Sequence, residues 1–155
     1  MPNMSTPLLN VFADLSVQVG APIEVGHTVH GLRRLIPILD GTVQGQGWTG
    51  RVLPGGADFQ LILNSRMAEL DARYVIETDA GDFIYVQNRA VRAAEPEVMA
   101  RLVRGEVVAA ESVYFRCSPS FETASKALAW ISESLFIGTG ARHPDQVVMR
   151  FFAVA

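Results

Sequence analysis

Asp58, Gln60, Arg73 and Asn88 sit in apolar segments at positions where side chains two apart share a strand face. Brought together on one face, a carboxylate, two amides and a guanidinium can orient a small polar group or move a proton. Tyr114 and Arg116, two apart in SVYFRC, add a phenol and a second cation on a later segment. On an open sheet such a face is simply solvated. In a closed barrel one face lines the interior, and the same groups become anchors for a ligand. Asp58 is then the candidate for proton transfer, because burial brings a carboxyl pKa toward neutrality. Arg73 or Arg116 would hold an oxyanion. Glu122, in SPSFETAS, opens a turn and reads as a cap.

Other motifs lose their chemistry in context. GQGWTG, residues 45–50, has the letters of a dinucleotide-binding turn, with Asp71 about twenty residues on. Such a turn must open a helix that holds the pyrophosphate at its N-terminus, and RVLPGG follows instead. Gly45, Gly47 and Gly50 are therefore read as bends in a curved sheet, with Trp48 between them as a packing or pocket-wall residue. His27, His30 and His143 lack the further ligands a metal site needs, so no metal is expected. No G-x-S-x-G elbow presents a serine nucleophile. Cys117 is the only cysteine and reads as a small core residue beside Arg116. No cofactor is expected.

The elements that must position these residues are mostly strands. Residues 8–19 alternate loosely between apolar and polar, and GAPIEVGHTVHG then punctuates the chain. Residues 57–64, 72–78 and 82–89 form an antiparallel meander, with Asp79-Ala80-Gly81 as a tight turn. Pairing Thr78 with Phe83, Ile76 with Tyr85 and Gln60 with Arg73 assigns Phe59, Leu61, Leu63, Tyr74, Ile76, Phe83 and Tyr85 to a packing face. The mixed face then carries Asp58, Gln60, Ile62, Arg73, Val75, Glu77, Ile84, Val86 and Asn88. Residues 95–104 are the one good helix, with Pro96 in its first turn and Gly105 as its stop. Its short apolar stripe, Val98, Leu102 and Met99, suits a lid or plug on a sheet. Strands are expected at 112–117, ended by Pro119, and at 135–138 and 147–154, with a short helix or turn around Trp130. This pattern predicts an all-β fold with one short helix, an antiparallel barrel or sandwich.

The 155 residues are 49% hydrophobic and 19% charged, which predicts one globular domain over 1–155 with a flexible segment at 1–7. A net charge of −3 and scattered arginines argue against nucleic acid as a partner. No apolar run approaches the roughly twenty residues that span a bilayer, and the first residues have no basic region. A cytoplasmic protein with no membrane partner is the expectation.

GLRRLIPILDGTVQGQGWTGRVLPGGADFQ, LDARYVIETDAGDFIYVQNR, VYFRCSPSFETASKALAWI and GTGAR together resemble one family across nearly the whole chain. It is domain-of-unknown-function family 3237, also called uncharacterised protein family 0311. PGGADF, the TDAG turn and the YFR…FET block are its most specific parts. The resemblance implies a single antiparallel β-barrel of the calycin or allene-oxide-cyclase type, and no established activity. Family-like positions are Arg34, Gly55, Gly56, Asp58, Tyr74, Thr78, Asp79, Asn88, Tyr114, Phe121, Glu122 and Trp130. The chain departs at Ala80, where a second acid is expected, and at Arg89-Ala90, where a glycine often follows Asn88.

Three readings follow. The first is a barrel that binds a small apolar or amphipathic molecule through Arg34, Trp48, Asp58, Gln60, Arg73, Asn88, Tyr114 and Arg116. The second is a cofactor-free cyclase or isomerase acting on a hydrophobic metabolite, with Asp58 transferring the proton. The third is a homodimeric structural or interaction protein that pairs through residues 147–154 as an edge strand.

Overall fold

A computed structural model describes residues 4–155. The expectation of a free segment at 1–7 lies, for residues 1–3, outside the described residues. Met4–Pro7 are exposed and belong to no strand or helix.

The chain forms β1 (Leu9–Val19), β2 (Ile23–Thr28), β3 (Gly31–Gly45), β4 (Thr49–Val52), β5 (Ala57–Ile62), β6 (Met67–Thr78) and β7 (Phe83–Ala94). The single helix α1 (Pro96–Val103) precedes β8 (Val113–Thr123), β9 (Phe136–Arg142) and β10 (Gln146–Val154). All pairings are antiparallel, and the sheet closes through β1, which pairs with both β10 and β3. β4 and β5 share one position between β3 and β6, and β2 adds to β3 at the rim, so the wall is an eight-stranded barrel.

Glycine makes the tight places. In the β3–β4 hairpin, the Gly45 N–H donates to the Trp48 carbonyl at 2.8 Å, and Gly47 takes φ of +81°. A Cβ on Gly45 would lie 2.1 Å from the Trp48 ring. The GxGxxG letters thus belong to a hairpin turned under an indole, with no helix behind them. A Cβ on Gly56, in PGGADF, would lie 2.4 Å from the Arg73 carbonyl oxygen, so the chain can cross β6 there only as glycine.

The register corrects the meander. Glu77 pairs with Phe83 and Ile76 with Ile84, one residue from the expected alignment, and Gln60 faces Leu70 rather than Arg73. β6 begins at Met67, five residues earlier than expected. The inward face therefore carries Gln60, Leu70, Tyr74, Ile76, Ile84, Val86 and Asn88, all buried. Phe59, Phe83 and Tyr85 point outward instead of packing.

Three further expectations are corrected. PIEVGHTVH contains β2, held to β3 through a bulge between Glu24 and Gly26. β8 runs through Pro119 to Thr123; its ladder with β9 covers only Arg116 and Cys117, so the proline lies outside that ladder. β10 is not an edge, because β1 and β9 flank it on both sides.

The interior is divided along its axis. At the end holding the β3–β4 and β6–β7 turns, Phe12, Phe121 and Phe136 interlock with ring centroids 4.8–5.5 Å apart. A bulge between Val11 and Ala13 buries Phe12 and Ala13 side by side. Trp48 and Trp130 close that end against Phe12. At the opposite end α1 lies over the mouth and buries Met99 and Leu102.

Candidate functional site

The polar residues that share the lumen meet beneath α1. Asp58 and Gln60 come from β5, Asn88 and Arg92 from β7, Arg34 from β3 and Arg142 from β9. Alternation places Asn88, Ala90 and Arg92 on one inward row, so the only cation of that row points into the barrel. Arg92 is 3% exposed, Asn88 3% and Gln60 4%.

Two small cavities run through this cluster. One, of about 50 Å³, is bounded by Asp58, Gln60, Asn88, Arg92, Arg142 and Met149, among others. The second, of about 100 Å³, shares Gln60, Arg92 and Arg142 and reaches Arg34, Leu102 and Gly105 at the mouth.

Hydrogen bonding inside the cluster is incomplete. Gln60 Nε2 donates to Asp58 Oδ2 at 2.9 Å, and Asn88 Nδ2 approaches the Met149 sulfur at 3.6 Å. Asp58 Oδ1, Gln60 Oε1, Asn88 Oδ1, Tyr74 OH and Arg92 Nε are buried with no partner. Arg34 Nε lies 2.9 Å from Glu24 Oε1, an ion pair whose angle makes no hydrogen bond. Each buried orphan costs about 1–3 kcal/mol unless water or a ligand satisfies it, and four of them, on Asp58, Gln60, Asn88 and Arg92, border the two cavities.

The electrostatics follow from burial. Asp58 retains some exposure as a residue, but its Oδ1 is out of solvent. Desolvation raises its carboxyl pKa against the hydrogen bond from Gln60 and the charges of Arg92 and Arg142. The same desolvation lowers Arg92 to about 10 and lowers Arg142, with Asp58 opposing it in both. Burial pushes the Tyr74 phenol well up and the Cys117 thiol up to about 11. The chamber thus holds a weakened acid, three guanidinium groups and unspent acceptors. It can bind a group that both donates and accepts, and Asp58 can exchange a proton with it.

Of the expected anchors, the structure brings together Asp58, Gln60, Asn88 and Arg34. It does not bring Arg73, Tyr114, Arg116 or Trp48 to them. Arg73 is exposed on the outer wall and donates to Asp71 Oδ2 at 3.2 Å. Tyr114 is 56% exposed, with the Arg116 guanidinium 5.3 Å from its ring centre and bonded back to the Phe115 carbonyl. These two line a broad outer depression of about 910 Å³ with Phe59, Leu61, Asp71 and Ile137. It is larger than the chamber and lies on the outer wall, where Asp71 accepts from Arg73 and Gln87 and Arg116 donates to the Phe115 carbonyl, while Arg33, Glu69 and Arg89 make no side-chain hydrogen bond or ion pair among the described residues. Trp48 belongs to the aromatic end. Glu122 is exposed at the end of β8.

Arg92 and Arg142 were not singled out from the sequence. The signal for Arg92 was its even spacing from Asn88; Arg142 ends the GTGAR segment, where two glycines obscure the alternation. Among the described residues no three His, Cys, Asp or Glu side chains converge as metal ligands. No helix among them is long and apolar enough to cross a membrane.

Residues 7–154 match the family model described as protein of unknown function, DUF3237. The chain belongs to this family. The UPF0311 protein RPA1785 of Rhodopseudomonas palustris is 43% identical over 135 residues, which cover 87% of this chain and 88% of the relative. Its crystal structure superposes with a TM-score of 0.92, covering 98% of this chain and all of that one. A β-barrel-like protein of Acinetobacter baumannii gives 0.85 at 31% identity, with complete coverage of both chains. A structure described as an enzyme from Penicillium herquei gives 0.73 at 16% identity over the full length of both chains, a likeness of fold alone. PGGADF and the β6–β7 turn, which carried the resemblance, are structural features of this DUF3237 barrel. The chamber is lined by the family-like residues Arg34, Asp58 and Asn88 together with Gln60, Arg92 and Arg142.

Proposed function

We propose that this DUF3237 barrel binds a small amphipathic molecule in the chamber beneath α1. The observation that carries the reading is the set of buried oxygens without partners, Asp58 Oδ1, Gln60 Oε1 and Asn88 Oδ1. They are acceptors from three side chains on two strands, and a ligand hydroxyl can donate to one of them. Ile36, Val19 and Phe115 supply an apolar wall for the rest of such a molecule. Native mass spectrometry of freshly purified protein, followed by melting with small alcohols and phenols, tests it. The expected result is a ligand-dependent rise in Tm that Asn88→Leu abolishes. Equal shifts in the native protein and Asn88→Leu would remove the chamber as the site.

A second reading is favoured by one specific feature, the raised pKa of Asp58 beside a free carboxyl oxygen. In this reading the barrel is a cofactor-free cyclase or isomerase, and Asp58 passes a proton to or from the bound molecule. The Penicillium herquei protein shares the barrel, which supports the fold's capacity to host catalysis. Asp58→Asn should retain binding and lose turnover of an identified substrate by about 10²–10⁴-fold. Full turnover in that variant would leave binding as the function.

A further inference from the structure

Buried charge must be neutralised, and the chamber is not neutral by itself. Arg92 and Arg142 face it with no carboxylate oxygen within 4.0 Å among the described residues. Arg34 is served by Glu24 from the rim. Asp145, the other acid near Arg142, is exposed and makes no ion pair with it. The one acid inside is Asp58. With Asp58 ionised the three inward groups Arg92, Arg142 and Asp58 leave one positive charge unmatched; with it protonated they leave two. A guanidinium keeps its proton at neutral pH, so the balance cannot be restored by titrating an arginine. An uncompensated buried ion is costly, and a fold retains it when something else supplies the counter-charge.

We propose that the ligand of the chamber is a small hydroxylated carboxylate, its carboxylate group held by Arg92 and Arg142 and its hydroxyl donating to one of the free oxygens of Asp58, Gln60 and Asn88. This inference rests on the chamber being the binding site. The planar fork of a guanidinium matches a carboxylate, and Arg92 Nε is a buried donor without a partner. With Asp58 ionised, its Oδ2 accepting from Gln60 and its Oδ1 open to the ligand hydroxyl, one positive charge is left, which argues for a monoanion over a phosphate carrying more than one negative charge near pH 7. The cavities of about 50 and about 100 Å³ admit only a few heavy atoms, so the polar head fills them and any larger tail leaves past Leu102 and Gly105.

The test uses the full chain with glycolate, lactate, inorganic phosphate, glycerol and benzyl alcohol, each against sodium chloride of equal ionic strength. Melting curves and calorimetric titration give the shift and Kd. Glycolate and lactate should raise Tm in a saturable way, and Arg92→Met and Arg142→Gln should each weaken their binding at least tenfold. Arg51→Gln, on the outer wall, should bind as the native protein does. Because removing an unpaired buried charge relieves the empty barrel, Arg92→Met should also melt higher than the native protein without ligand. That result separates lost recognition from lost folding. Tighter binding of phosphate than of either hydroxy acid overturns the carboxylate assignment. Shifts with glycerol or benzyl alcohol alone overturn the anion while leaving the chamber as a site. No shift with any of the five overturns both.

Discussion

Asp58 gives the molecule a pH dependence whose sign is fixed by its surroundings. Burial raises its folded pKa above the ordinary aspartate value of about 3.9. Between the unfolded and folded values the native state holds a proton that the unfolded chain has released. The stability this contributes is complete below about pH 4 and is lost as pH rises through the folded value. Asp58→Asn cannot titrate, and its amide oxygen can still accept from Gln60. Urea titrations between pH 4 and 8 should therefore show the variant gaining on the native protein as pH rises. A difference that stays flat would mean the carboxyl is not buried as an acid. Cys117 should show the opposite face of burial, a thiol pushed up to about 11 and closed to reagents. Its reaction with Ellman's reagent at pH 8 should be slower by at least roughly tenfold in the folded protein than in urea.

At the scale of elements, α1 and the glycine crossings carry separable consequences. The helix touches the barrel through Met99 and Leu102, so Leu102→Ala should release it before the barrel opens. Hydrogen exchange should report lost protection over residues 96–103 while β6 and β7 stay protected. Gly56→Ala acts on the barrel itself, because its new Cβ meets backbone at 2.4 Å and no side chain can yield. A loss of about 1–3 kcal/mol is expected by denaturant titration. The strands at this scale were largely legible. Period-two alternation located β1, β5, β7 and β10, and Pro96 with Gly105 bracketed the helix. What failed was the join between strands. The Thr78 N–H donates to the Asp82 carbonyl, which makes the turn one residue different from the one expected. That single step turned Tyr74 and Ile76 inward and Arg73 outward, because a strand has only two faces. Met67–Asp71 was missed although Ala68-Glu69-Leu70-Asp71 alternates apolar with acidic; the run is short and follows the polar turn residues Asn64-Ser65-Arg66.

For the whole molecule, long-range pairing dominates, with β1 bonded to both β3 and β10 before the wall is complete. Folding should be slow for its size, on the order of milliseconds to seconds by stopped-flow fluorescence of Trp48 and Trp130. Phe136→Ala removes a ring shared by Phe12, Phe121 and Trp130 and should cost about 3–5 kcal/mol. The all-β class was legible because many strands with one short helix leave only a barrel or a sandwich, and the choice of barrel came from the family resemblance. The site was legible only in half. Asp58, Gln60 and Asn88 keep one parity on strands correctly read, whereas Arg73 was joined to them by a register that the turns did not honour, and Tyr114 and Arg116 by a shared parity on β8 that points outward.

The axial division of the interior has one more consequence. The end that interlocks Phe12, Phe121 and Phe136 is packed by aromatic rings, and the end beneath α1 holds unpartnered polar atoms of Asp58, Gln60, Asn88 and Arg92. Cohesion and chemistry therefore reside on different side chains, as on β9, where Phe136 and Arg142 stand at opposite ends of one strand. If the chamber binds as proposed, substitution at Arg34, Gln60, Asn88 or Arg142 should change what it holds without loosening the aromatic clasp. A barrel organised in this way would let recognition vary across a lineage while its foundation stays fixed.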